Sequence, residues 1–139
     1  MADEMPVDLQ LQNSKHNEMP VKVAAVLRTN LPSKSIPKDF LNRLSDALVK
    51  QFHADIQSNV YGARVFSQDV SAEMQADVLM VRGGSCAPMA TMQLYHNDDR
   101  VDNNSKHDYA KNLAVFLCHQ IKVPVDRYVI DVHKVSPSP

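Results

Sequence analysis

Apolar residues crowd into residues 21–27, where Val21, Val23, Ala24, Ala25, Val26 and Leu27 surround a single polar Lys22. A short run of this kind predicts a buried strand. Thr29, Asn30, Pro32, Ser33 and Ser35 follow as turn chemistry. Pro32 bars helix, and the short polar side chains bond local backbone. The period then changes. Phe40, Leu41, Leu44, Ala47, Leu48 and Phe52 recur every three or four residues, with Asp39, Arg43, Asp46 and Lys50 on the other side. That is the stripe of an amphipathic helix. Ser35 is its expected cap, and Pro37 sits near the first turn, where a missing N–H costs nothing.

Val60 and Val65 anchor an expected strand over 60–66. Residues 67–76 are polar and acidic and read as a surface loop. Val78, Leu79, Met80 and Val81 predict a short strand, and the paired Gly83 and Gly84 a turn needing positive φ. Residues 89–95 predict a further strand and 96–105 a polar loop. Asn104 or Ser105 is the expected cap of a second helix striped by Tyr109, Ala110, Leu113, Phe116, Leu117 and Ile121. Pro124 ends that helix, residues 128–132 form the last long strand, and Pro137 and Pro139 mark a frayed end.

Strand, helix, strand, followed by strand, helix, strand, is an internal duplication of a βαβ unit. Right-handed crossovers place both helices on one face of a mixed four-stranded sheet. The fold class is α/β, a two-layer sandwich. Val21, Val23, Ala25, Leu27, Met89 and Leu94 read as apolar on both alternations. This predicts that the face without helices buries against another subunit. Residues 1–19 are rich in Asp, Glu, Asn and Gln, without a period, and read as a flexible N-terminal extension to one domain over 20–139.

Composition narrows the function classes. Among 139 residues, 15 Lys+Arg against 16 Asp+Glu leave a net charge of −1, so a broadly basic nucleic-acid grip is not expected. Three glycines cannot build a GxGxxG or P-loop, which excludes the usual nucleotide-phosphate chemistry. Cys86 and Cys118 have neither CxxC nor zinc spacing and read as ordinary reduced thiols. His16, His53, His96, His107, His119 and His133 are scattered without metal-site spacing, so no metal and no cofactor is expected. Met80, Met89 and Met92 read as adaptable core filler. No window approaches the ~18 apolar residues of a membrane span. The acidic start lacks the apolar core of a signal peptide, so export would be leaderless.

Four stretches carry a family resemblance. They are Met19, Pro20, Val21, Lys22 and Val23; Thr29, Asn30, Leu31 and Pro32 with Ile36, Pro37, Lys38, Asp39, Phe40 and Leu41; Gly83, Gly84, Ser85, Cys86, Ala87 and Pro88; and Val125, Asp126, Arg127, Tyr128, Val129 and Ile130. Their order on a duplicated βαβ pattern resembles the macrophage migration inhibitory factor (MIF) family of the tautomerase superfamily. The resemblance implies a homotrimer whose sheets line a central barrel. It implies keto–enol tautomerisation of small aromatic keto acids such as phenylpyruvate, or of dopachrome. It also implies cytokine-like signalling through a cell-surface receptor, by a cytoplasmic protein secreted without a leader.

The family's base is an N-terminal proline. A free α-amine titrates near pH 8, and a partly apolar pocket lowers that further, so the neutral amine can take a proton beside a carbonyl. Pro20 is the candidate catalytic residue, but inside the chain its nitrogen is an amide without a basic lone pair. Gapless alignment of Thr29, Asn30, Leu31 and Pro32 with the family's Thr-Asn-Val-Pro puts Val23 in the slot instead. The resemblance carries substrate-binding positions onto Asn97 and Asp131, with Val129 beside the latter. Ala54 occupies the usual lysine position, and Lys50 lies one turn earlier. Acidic Asp131 would repel a keto-acid carboxylate. Met89 and Met92 stand where some animal members carry Cys-x-x-Cys. The expectation is a protein-interaction role with the tautomerase site impaired in the full-length chain. The alternatives are an active tautomerase after processing exposes Pro20, and an inactive subunit that joins active trimers.

Overall fold

β1 (Val23–Thr29) leads to α1 (Phe40–Gln57) and β2 (Val70–Gln75), then β3 (Ala90–His96) leads to α2 (Asn103–Gln120) and β4 (Tyr128–Lys134). This computed structural model describes residues 21–57, 67–99 and 101–135, with backbone alone over 53–57. The expected extension over 1–19, Pro20, the expected strand over 60–66 and the frayed end over 136–139 lie outside the described residues. The sheet order is β2-β1-β3-β4. β1 pairs parallel with β2, β3 pairs parallel with β4, and the two halves meet antiparallel at β1 and β3. Two βαβ crossovers therefore share one sheet, as the duplicated pattern predicts.

Period two decides which residues meet the helices. Val23, Ala25, Leu27 and Thr29 on β1, and Ala90, Met92, Leu94 and His96 on β3, are all buried. α1 covers them with Phe40, Leu44, Leu48 and Phe52, and α2 with Tyr109, Leu113 and Leu117. The helices touch through Phe52 and Tyr109, whose rings meet edge-on at 4.9 Å. The cap of α2 is Asp102, whose carboxylate accepts the Asn104 and Ser105 N–H groups while the Ser105 hydroxyl accepts the Asp102 N–H. Ser105 thus belongs to a capping box, but from the third helical position. Ser35 does not cap α1. It closes a single 3-10 turn over Ser33–Ser35, and its hydroxyl donates to the Pro32 carbonyl.

Three further expectations need correction. Residues 67–76 are not a loop: after a 3-10 turn at Ser67–Asp69, Val70–Gln75 is edge strand β2. Val70, Ala72 and Met74 pack against the core while Ser71, Glu73 and Gln75 are exposed. That is the alternation of a half-buried strand hidden in a polar composition. Residues 78–81 do not join the sheet. Asp77 turns the chain away with φ of 60°, leaving Leu79 100% and Val81 69% exposed. Nor is the sheet apolar on both sides. Val21, Val23, Ala25, Leu27 and Leu94 all belong to the buried, helix-covered set, and Met89 precedes β3. The opposite face carries Arg28, Glu73, Gln93, Tyr95, Asp131 and His133 around Ala24, Val26 and Val129. Gly83 and Gly84 do form the expected turn, with φ of 60° and 75°, closed by reciprocal bonds between Arg82 and Ser85. Among the described residues no helix is long and apolar enough to cross a membrane.

Phe52 is fully buried where both helices and β3 converge. Phe52→Ala is expected to destabilise the fold by about 3–5 kcal/mol. Asp102→Ala is expected to cost only about 1 kcal/mol, the worth of a cap. Urea denaturation of both variants checks this ranking.

Candidate functional site

A pocket of about 500 Å³ opens where the start of β1 meets the start of β2 and the end of β3. Its lining includes Lys22, Val23, Ala24, Asp69, Tyr95 and Asn97. The pairing of three strands builds it, for Val23 is opposite Val70 on one side and His96 on the other. Val23 is 2% exposed, and the Lys22 N–H donates to the Asn97 Oδ1 at 2.7 Å. The backbone nitrogens at this strand start are amide donors, not bases.

Asp69, from the turn before β2, and His96, at the end of β3, line the pocket with Lys22 and Tyr95. The Asp69 side chain is 8% exposed, with Oδ1 lying 3.6 Å from the Lys22 Nζ. Its Oδ2 is sealed from solvent and has no hydrogen-bond donor among the described residues. His96 is buried against Phe52, and its Nδ1 accepts the Asp98 N–H at 3.0 Å. The neutral ring therefore carries its proton on Nε2. Burial pushes the His96 pKa below the ordinary value, outweighing the Asp98 and Asp99 carboxylates that raise it. Lys134 pairs with Asp99 at 2.6 Å and holds that carboxyl below its usual range.

Tyr95 joins the pocket to the open face of the sheet, where its ring stacks on His133 at 5.0 Å. His133 Nε2 lies 2.5 Å from the Gln93 side-chain Oε1, so that nitrogen donates. Gln93 passes its amide N–H to Asp131 at 3.1 Å. Asp131, Gln93, His133 and Tyr95 make one polar chain across β3 and β4.

The other end of the sheet is built differently. The Asn30 amide donates to the Cys86 and Ala87 carbonyls and accepts the Met89 N–H. Arg127 donates to the carbonyls of Arg82, Ser85, Ala87 and Pro88. Three of the sequence stretches singled out above therefore meet in one corner, which fastens the loop over 82–88 to both halves of the fold.

A profile of the macrophage migration inhibitory factor family matches residues 19–139. The chain belongs to that family. Solved structures agree on the fold. The MIF of Trichinella spiralis superposes with a TM-score of 0.67 at 22% identity, over 81% of this chain and 89% of that one. The MIF of Oncomelania hupensis gives 0.66 at 18% identity, over 81% and 86%. A MIF homologue from Prochlorococcus marinus gives 0.63 at 15%, over 81% and 89%.

Of the expected site residues, Asn97 lines the pocket and Pro20 lies outside the described residues. Val23, the alternative for the MIF-family catalytic slot, lines the pocket as the first residue of β1. Asp131 is on the open face and does not line the pocket of its own chain. Lys50 lines a separate cleft of about 480 Å³ between α1 and α2, with Arg43, Asp46 and Asn112. One chain thus brings Asn97 to the pocket but neither Lys50 nor Asp131. Asp69, Tyr95 and His96 are pocket residues that sequence reasoning missed. The signal for Asp69 was its place just before the alternation of β2.

His96 titrates below the ordinary histidine value in the folded chain because of burial, so the unfolded chain binds its proton more readily. Its contribution to stability is full above pH ~6.5 and is lost as the pH falls from there through the folded value. The stability lead of wild type over His96→Gln is expected to shrink across that window, as read by urea denaturation from pH 7.5 downward. A constant lead would show that His96 does not titrate in this way.

Proposed function

We propose that this MIF-family protein acts as a binding or signalling protein, with keto–enol tautomerase chemistry impaired in the full-length chain. The supporting observation is the nitrogen chemistry at the start of β1. Tautomerisation by the family route needs a basic secondary amine in the pocket. Here the Lys22 amide N–H is already donated to Asn97, and Val23 is an internal, buried strand residue. The second reading, an active phenylpyruvate or dopachrome tautomerase, requires processing that turns Pro20 into a free amine beside the same pocket. Position favours retaining it, because Pro20 stands two residues before Lys22 in the chain. Asp131 and Asn97 remain the proposed substrate-binding pair for that case, with Lys50 as the proposed cation.

Assembly as a homotrimer, with the sheets lining a central barrel, is part of this proposal. Leu79 and Val81 support it, since two large apolar side chains are fully or mostly exposed on an extended segment beside the sheet. Such residues commonly mark a protein contact. The open sheet face, polar with small apolar patches, suits a solvated channel better than a dry interface. A signalling protein that meets a cell-surface receptor fits the same reading.

Two measurements test these claims. Phenylpyruvate tautomerisation is expected to be absent for the full-length chain and present only in a form beginning at Pro20, where Pro20→Gly abolishes it. Turnover by full-length protein of verified intact mass would overturn the impaired-site reading. Light scattering is expected to give a trimer for wild type and a monomer for Leu79→Asp with Val81→Asp. A wild-type monomer would remove the assembly claim.

A further inference from the structure

His96 ends β3 with its ring in the core, 3% exposed and 5.8 Å from the Phe52 ring. Its Nδ1 accepts the Asp98 N–H at 3.0 Å, which closes a turn over residues 96–98. That bond exists only while Nδ1 lacks a proton. In the imidazolium both ring nitrogens donate, and two hydrogens cannot share the 3.0 Å between Nδ1 and the Asp98 nitrogen. A ring flip gives no relief, because the other nitrogen is protonated too. Packing holds the ring, and the Val135 N–H holds the His96 carbonyl at 2.7 Å. The partner that must move is the loop after His96.

Asn97 lies inside that turn. It lines the pocket, and its Oδ1 accepts the Lys22 N–H at 2.7 Å, tying the loop to the chain just before β1. Among the described residues, the charged groups around the ring are Asp98 and Asp99 in the loop, Lys134 on β4, and Lys22 and Asp69 in the same pocket lining. α1 presents the Phe52 ring, and α2 presents Tyr109 against that ring. Burial opposes the cation most, and Lys134 adds to it, while Asp98 and Asp99 favour it.

We propose that His96 is a positioning residue for the pocket and an acid-sensitive latch. Neutral, it holds Asn97 on the Lys22 amide. Protonated, it releases the loop over residues 97–99 and frees the chain at the start of β1. The step is reversible uptake of one solvent proton at Nδ1, in which an N–H bond forms and the hydrogen bond from Asp98 is lost. The latch does not depend on what the pocket binds or catalyses, so it stands even where tautomerase turnover removes the impaired-site reading.

The test is heteronuclear NMR of the full-length chain from about pH 7.5 to about pH 4.5, a range that brackets the ordinary histidine value. The His96 ring is expected to carry its proton on Nε2 alone at the start and on both nitrogens at the end. With the same midpoint, the Asp98 and Lys22 amides are expected to lose about tenfold in exchange protection, corrected for intrinsic exchange, as one lost hydrogen bond implies. Ala25 and Leu27, on a strand paired on both sides, are expected to keep theirs. His96→Asn places an acceptor oxygen where Nδ1 stands and does not titrate. It is expected to hold both amides throughout the range, and the wild-type titration decides alone should this variant not fold. A doubly protonated ring with both amides still protected would overturn the proposal. So would amides that loosen at a midpoint other than the ring's, a ring that stays neutral until Ala25 and Leu27 also open, or a folded His96→Asn that loosens with pH as wild type does.

Discussion

The antiparallel register between β1 and β3 is the constraint on which everything else depends. Each βαβ half can fold its helix onto its own two strands, but neither buries a face alone. The halves become one core only when Val23 stands opposite His96 and Thr29 opposite Ala90. A slip of one residue would turn every buried side chain of β1 to the open face. Two side chains at the far end oppose that slip. The Thr29 hydroxyl donates to the Met89 carbonyl at 2.7 Å, and the Asn30 amide bonds both to the carbonyls of Cys86 and Ala87 and to the Met89 N–H. Thr29 is fully buried, so its hydroxyl bond is satisfied only in the correct register.

This placement explains what the sequence could and could not reveal. The stripes of α1 and α2 were legible because three- and four-residue spacing of Leu44, Leu48, Leu113 and Leu117 admits one buried face. β1 and β3 were legible as apolar runs. β2 was not, because an edge strand needs only one good face, and Val70, Ala72 and Met74 are diluted by Ser71, Glu73 and Gln75. The segment over 78–81 misled for the opposite reason. Its apolar residues satisfy the pattern of a strand, but Asp77 at positive φ takes them off the sheet. Periodicity reports that a face is apolar and is silent on what covers it.

Three of the four family stretches meet at one end of β1, while the pocket, with Lys22 and Val23 of the first stretch, lies at the other. Thr29, Asn30, the loop over 82–88 and Arg127 are joined by hydrogen bonds that hold the fold, and none of those residues lines the pocket. The motifs were readable because scaffold geometry restricts residue type: only an amide side chain both donates to and accepts from backbone, and only a guanidinium reaches four carbonyls at once. The pocket end is less restricted. The strand requires only that Val23 be apolar and able to pair, and the Lys22 amide before it is held by Asn97. Family membership therefore settles the architecture here without settling the chemistry.

The unsatisfied groups are informative for the same reason. Tyr128 has a buried hydroxyl with no partner among the described residues, and the phenol pKa is pushed upward by burial first and by Cys118 second. It lies at the start of β4, a neutral group whose ionisation is simply suppressed. Asp69 differs in kind, because its carboxyl faces a lysine at one oxygen. Its surroundings must either neutralise it or supply donors, and Lys22 does so for one oxygen only. A fold that needed nothing from this pocket could replace Asp69 by a neutral residue and lose only a partly exposed ion pair, worth little. The sealed Asp69 oxygen belongs to a residue of the pocket lining, whereas the buried Thr29 hydroxyl in the core already has its bond.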